Sequence, residues 1–309
     1  MSHENIGSIN DPVVPVGKFL FCGPRFRDSG PVLVFDSLDE TTKRIEVPVI
    51  GCQLTVERLK KRMCVGRYDL ITSIHEPCPH RSTVGDTETH CFDCERAIGF
   101  APAFYNLPME RISEQQKQYN KLPHVVYLAW FGPSILKVGI SSKERRYDRW
   151  LEQGAIGAVV LFQTADAYVA RKLEETVSTQ FRFREIVRSP DKFRSLYPEP
   201  DLKLCADELN TARWQIAQNI GTKVDQDEVF YGIRHYVENA FPNQEPIDLS
   251  NVRPLSISGV GYGVVGNFLL VRQDNCFFCV RLKTLLAHIV NISNLAIPNS
   301  GGQTQRRLL

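Results

Sequence analysis

Two groups of side chains in this sequence have the types and spacing to do chemistry. In the first, His75 and Cys78 are separated by two residues, Cys91 and Cys94 likewise, and twelve residues lie between the pairs. Each pair can turn two ligands toward one tetrahedral ion, and the segment that carries them, "HEPCPHRSTVGDTETHCFDC", lacks the large apolar residues needed for a core of its own. The spacing therefore predicts a structural zinc held by His75, Cys78, Cys91 and Cys94, with His80 and His90 as neighbouring competitors for a ligand place. A closed set of four ligands leaves no position for substrate.

The second group lies in "HVVYLAWFGPSILKVGISSKERRYDRWLEQGA", residues 124–155. Two short β-branched and aromatic runs joined by "GPS" predict an antiparallel hairpin. Pairing Phe131 with Ile135 sets Tyr127 opposite Gly139 and puts Lys137 on the Tyr127 face, where the missing side chain of Gly139 would leave room beside the phenol. Ser141 and Glu144 have capping-box spacing, and Gly154 is a natural helix stop. On the helix between them Arg146, Arg149, Trp150 and Gln153 share one side at steps of three and four residues. Paired guanidiniums match phosphate oxygens with forked hydrogen bonds; the plainer alternative is a solvated basic face.

Other elements must position these groups. Residues 13–52 alternate as short strands, residues 55–63 read as a helix, and the polar stretch "MERISEQQKQYNKLP" as a linking helix or loop. A compact α/β unit runs over residues 124–187, with "IGAVVLFQ" as a third strand and "ADAYVARKLEETVSTQFRFREIV" as a second helix. On that helix Val169, Leu173, Val177 and Phe181 form the apolar stripe, Glu174 borders it and Glu175 faces water. A further helix is expected over residues 206–220, between proline-rich connections. "VVGNFLLVR", a "QDN" turn and "CFFCVRL" make a C-terminal hairpin, and the glycines of "SGVGYGVVG" suggest bulges of a small barrel. Cys276 and Cys279 face opposite sides of a strand and read as core thiols, as do Cys22, Cys52, Cys64 and Cys205. The divisions that follow are residues 1–70, 71–100, 121–220 and 221–295, with a flexible tail over 296–309.

Composition narrows the function. With 309 residues and a formal net charge of only +2, the chain can bury two or three small cores but has no whole-surface grip on a polyanion. Nine scattered cysteines argue against a disulfide framework. No apolar run is long enough to span a membrane, and the first residues lack the pattern of a secretory signal, so a cytoplasmic location is the default expectation.

The order of tyrosine-bearing strand, strand ending in Val-Gly, arginine-bearing helix, third strand and helix with "ARKLEETV" resembles the GIY-YIG nuclease superfamily over residues 124–187. More closely, "LKVGISS", "RWLEQGA" and the preceding cysteine pairs resemble a bacterial zinc-ribbon family of unknown function that shares this core. The resemblance implies an α+β fold: a three-stranded GIY-YIG-like core with a zinc ribbon and flanking β-rich, barrel-like segments. It implies catalytic roles for Tyr127, Arg149 and Glu174 and substrate contacts from Lys137, Gly139 and Arg146. Glu174 would hold a divalent ion, Mg²⁺ or Mn²⁺, for phosphodiester hydrolysis.

The first motif here is Val-Val-Tyr, and Lys137 stands where the nuclease pattern has its second tyrosine. A lysine beside phosphate binds but does not accept a proton. Three functions are compatible with this set: a metal-dependent nuclease, a nucleic-acid-binding protein that does not cleave, and an enzyme for a small phosphorylated or guanidino substrate. Nucleic acid is the favoured partner.

Overall fold

A computed structural model describes residues 16–39, 43–221, 223–225, 227–237 and 240–293. The first strands are β1 (Gly17–Arg27), β2 (Gly30–Ser37), β3 (Arg44–Pro48) and β4 (Gln53–Arg62). A small unit follows, made of the two-residue strands β5 (Arg67–Tyr68) and β6 (His75–Glu76) and helix α1 (Phe92–Ile98). Helix α2 (Glu114–Asn120) leads into β7 (His124–Trp130), β8 (Leu136–Ser142), α3 (Arg146–Gln153), β9 (Gly157–Thr164) and α4 (Ala167–Phe181). Helices α5 (Ser189–Arg194) and α6 (Leu202–Asn219) and strand β10 (Phe230–Tyr231) complete the middle of the chain. The last strands are β11 (Ile247–Asp248), β12 (Ser256–Val265), β13 (Phe268–Gln273), β14 (Cys276–Arg281) and β15 (His288–Ile292).

The architecture is α+β, as expected, but the flanking β segments are not separate and do not close into a barrel. They form one open nine-stranded sheet in the order β11-β14-β13-β12-β4-β15-β1-β2-β3. The glycine-rich run does carry a bulge, between Gly261 and Gly263. Residues 55–63 are not a helix: 55–62 belong to β4, and Met63 forms an isolated bridge to Thr83. Gln53–Val56 alternate between the two faces, and the strand is paired with β12 on one edge and β15 on the other, so ladder bonds on both sides override the helical bias of "VERLKKR". The tail assigned to residues 296–309 lies outside the described residues.

The second sheet runs β10-β9-β7-β8, which is the expected three strands with a short fourth. All seven residues of β7 are buried, the pattern of a central strand covered on both faces. Val126, Leu128 and Trp130 join α4, α6 and the large sheet in one core, while Val125, Tyr127 and Ala129 pack with Trp150 and Val160 on the other side. On α4 the buried face is Ala167, Ala170, Glu174 and Val177. Val169 is 46 % exposed, so the stripe is rotated from its expected position and Glu174 sits inside it rather than at its edge.

Helix α6 begins earlier than expected because Asp201 caps it, accepting from the Lys203 and Leu204 amides at 2.9 and 3.0 Å. Helix α3 begins later. Ser141 lies in β8 and Arg145 precedes the helix with no side-chain cap, so the Ser141–Glu144 capping box does not form. Its end is as expected: Gly154 takes a left-handed conformation, φ +79°, and is pressed against Gly266 in the β12–β13 turn. The buried Tyr236 hydroxyl donates to the Ala155 carbonyl at 2.8 Å, fastening the same helix end.

Candidate functional site

The metal-type residues come together, with one substitution in the expected set. Cys64, Cys78, Cys91 and Cys94 have their sulfurs all within 4.8 Å of one another. The Cys78 and Cys91 sulfurs are 3.8 Å apart. A tetrahedral ion with metal–sulfur bonds of about 2.3 Å has edges of about 3.8 Å, so the cluster has the size and softness of a structural four-thiolate site. The Cys64 sulfur accepts from the amides of Cys91 at 3.1 Å and Gly66 at 3.4 Å, donors suited to a ligating thiolate. Burial raises the Cys64 thiol to about 11. An ion would be needed to hold that sulfur deprotonated at neutral pH.

His75 is not a ligand in this arrangement. It lies in β6, opposite Tyr68, and its Nδ1 faces the Arg44 guanidinium of β3. Burial and the Arg44 charge hold its imidazole down to about 3, so the ring is neutral. The signal that marks Cys64 is the "CVG" run: a glycine two residues after the sulfur lets the chain turn and direct an amide at it. Gly66 adopts φ +91°, and an added Cβ would meet the Glu76 carbonyl at 2.0 Å.

Arg44 ties this unit to the large sheet. Its guanidinium grips Asp36 of β2 through two bonds, at 2.8 and 2.9 Å, and also donates to the His75 carbonyl at 3.2 Å. Asp36 is 2 % exposed, so Asp36→Ala leaves the guanidinium unpaired in a largely enclosed setting. The expected loss is about 3–5 kcal/mol, measurable by urea unfolding.

The hairpin register is the expected one: Tyr127 pairs with Gly139, and the Phe131 amide donates to the Ile135 carbonyl at 3.0 Å. The gap left by Gly139 is, however, filled by its neighbours. A Cβ there would stand 2.6 Å from the Tyr127 oxygen and 2.8 Å from Lys137 Nζ. Glycine is required because phenol and ammonium both lean over it. Tyr127 is 0 % exposed, and its hydroxyl accepts from Gln153 Nε2 at 2.9 Å. The Arg149 guanidinium is close enough to interact with the same oxygen. Burial raises the Tyr127 pKa, so the phenol serves as a neutral hydrogen-bonding group and not as a base.

Glu174 is 6 % exposed and lies within electrostatic reach of Tyr127 and Lys137. Arg171 holds it, donating also to Glu185 at 3.3 Å and to the Tyr105 hydroxyl at 3.2 Å. Burial nonetheless shifts the Glu174 pKa upward despite Arg171. The four expected groups Tyr127, Lys137, Arg149 and Glu174 thus converge. Arg146 does not join them. Its guanidinium stacks over the Tyr147 ring at 4.2 Å, bonds the Tyr147 hydroxyl at 3.0 Å and donates to the Lys143 carbonyl at 2.5 Å.

A residue with no sequence signal does join. Lys192 of α5 donates to the Gln153 carbonyl at 2.6 Å and lies 5.2 Å from the Phe131 ring centre. Lys137, Lys283 and Arg149 all act on its charge. A cavity of about 450 Å³ opens on the opposite side of the hairpin, beside Leu136, Phe183 and Thr211. Of its two acids, Asp207 and Glu208, the second is committed to the Trp130 indole N–H at 2.6 Å and the Ser134 amide at 2.9 Å, a structural use.

Fold and site therefore define an α+β protein with a four-cysteine cluster suited to a metal ion and a basic junction around a buried tyrosine. The sequence profile of the family described as protein of unknown function (DUF2797) matches residues 51–286, and the chain belongs to that family. No curated protein and no solved structure matches it. Among the described residues, no helix is long and apolar enough to cross a membrane.

Proposed function

We propose that this is a nucleic-acid-associated protein whose GIY-YIG-like core holds a phosphodiester at the junction of β7, β8 and α3, while a zinc ion in the four-cysteine centre braces that junction. The observation that carries the reading is the convergence of Lys137 and Arg149 on the Tyr127 hydroxyl, a set of donors and positive charge suited to phosphate oxygens. The metal unit supports it mechanically. Tyr68 of β5 lies within electrostatic reach of Arg145, just before α3, and of Arg149 and Glu152 on it, and Asp69 accepts from Gln115 of α2 at 3.3 Å.

Metal-dependent cleavage is a second reading, favoured by one observation: a buried carboxylate, Glu174, within reach of the same tyrosine and lysine. Glu174 would hold Mg²⁺ or Mn²⁺ together with water and phosphate oxygens, sharing its charge with Arg171. Bound there, the ion would offset charge on the phosphate. Tyr127 would hydrogen-bond the phosphate, and Arg149 would orient it.

The test is binding and cutting, scored separately, on single-stranded, duplex and branched DNA and RNA with Mg²⁺ or Mn²⁺. Binding should weaken steeply with salt. Arg149→Ala should weaken it across all sequences and reduce the salt slope by about one, whereas Arg146→Ala should leave both close to the parent. Glu174→Gln should abolish cutting and spare binding. Failure to bind any nucleic acid at low salt overturns the reading, and equal cutting by Glu174→Gln removes Glu174 from it.

A further inference from the structure

The site holds more positive charge than a single phosphodiester requires. Lys192 of α5 lies within electrostatic reach of three other cations, Lys137 of β8, Arg149 of α3 and Lys283 of the short 3-10 helix Leu282–Thr284, and Lys137 is within reach of Arg149 as well. They come from four separate elements, one strand and three helices. A chain of contacts fixes the inner members, running from Lys192 through the Gln153 carbonyl at 2.6 Å and from the Gln153 amide to the Tyr127 hydroxyl at 2.9 Å. Lys137 Nζ completes it, 5.5 Å from the Tyr127 ring centre.

The carboxylates facing this cluster are Glu174 and Glu185, and Arg171 binds both. Ser178 donates to Glu185 as well, at 3.0 Å. Asp191, on the same helix as Lys192, is taken by Arg184 and Arg194. Two buried polar atoms on α3, Trp150 Nε1 and Gln153 Oε1, have no hydrogen-bond partner among the described residues. Trp150 is 2 % exposed and packs edge-on to Tyr127 at 5.8 Å. An indole N–H enclosed in this way is a donor waiting for an acceptor.

A diester carries one negative charge, whereas a phosphomonoester carries about 1.5 to 2 at neutral pH and presents three acceptor oxygens. We propose that this junction is a phosphomonoester site, in which Lys192 and Lys283 supplement Lys137 and Arg149 to receive a terminal phosphate such as that on a nucleic-acid strand end. The inference rests on the reading of this junction as the phosphate-binding site. It differs from that reading in requiring a strand end.

Affinity for one short single-stranded DNA is measured with a 5′-phosphate, with a 3′-phosphate and with neither, beside inorganic phosphate alone. One phosphorylated end should bind about tenfold tighter than the unphosphorylated strand, and Lys283→Ala should bring that ratio close to one. Lys283 is exposed, so this variant should fold as the parent does. Lys192→Arg should retain the preference and Lys192→Ala lose it. If Lys192 only caps α3, Lys192→Ala will lower the unfolding midpoint and leave the ratio intact, which overturns the inference. Equal affinity for all three strands overturns it too, while sparing the broader nucleic-acid reading. Binding of inorganic phosphate with no binding of any strand sustains the monoester site and removes nucleic acid as its source, and no binding of any probe overturns both.

Discussion

The protein should purify with about one zinc per chain, Cys64→Ser should release it, and His75→Ala should leave it in place. Removing one of four thiolates takes away a bond and most of the site's affinity, since structural zinc sites draw about 10–16 kcal/mol of apparent free energy from a complete ligand set. The segment between Cys64 and Cys94 has little else to hold it: its buried cluster consists of Cys64, Cys78 and Cys94, with Val84 and Cys91 against it. Cys64→Ser should therefore open this unit and loosen α3, with nucleic-acid affinity falling alongside zinc content. Metal analysis of protein purified without chelator checks the first effect, and binding at constant salt the second. Zinc lost from His75→Ala but retained by Cys64→Ser would restore the histidine to the ligand set.

Raising the pH from 7 to 9 should weaken nucleic-acid binding by up to about a hundredfold, while the stability lost to Lys137→Arg and Lys192→Arg, relative to the parent, should grow. Burial, Arg149 and the neighbouring lysines bring Lys137 and Lys192 to about 8, from an ordinary 10.5. Above pH 8 each must be reprotonated to meet an anion, which costs up to about tenfold per lysine for each pH unit. The sign for folding is opposite. Between about 8 and 10.5 these two lysines bind more protons in the unfolded chain than in the folded one, so their own contribution to stability rises with pH over that window. Lys137→Arg and Lys192→Arg, which stay charged, should flatten the binding profile. Binding and stability measured on the same samples check both directions, and affinity constant across pH 7–9 would remove these two ammonium groups from ligand contact.

Legibility in the sequence followed the range of the forces involved. The β7–β8 register, with Tyr127 against Gly139, could be read because alternation and a short loop fix it locally. Three of the four metal ligands were legible from paired spacing, and the fourth was hidden because Cys64 directly follows a strand that itself reads as a helix. Lys192 and Lys283 gave no signal, since only the fold brings Lys192 of α5 to the Gln153 carbonyl and Lys283 within electrostatic reach of Lys192. Arg146 shows the converse. Spacing placed it beside Arg149, and the later start of α3 together with the Tyr147 ring drew it away.

Strand β15, at the end of the described residues, lies between β4 and β1 in the large sheet. During synthesis the ribosome must therefore reach residue 292 before the two earliest parts of that sheet have the strand that joins them, whereas β7 to β9 with their helices have all their partners far sooner. Nascent chains halted shortly before that point should expose the unfilled edges of β1 and β4, and a truncation removing only this final strand should aggregate instead of yielding a slightly shorter protein.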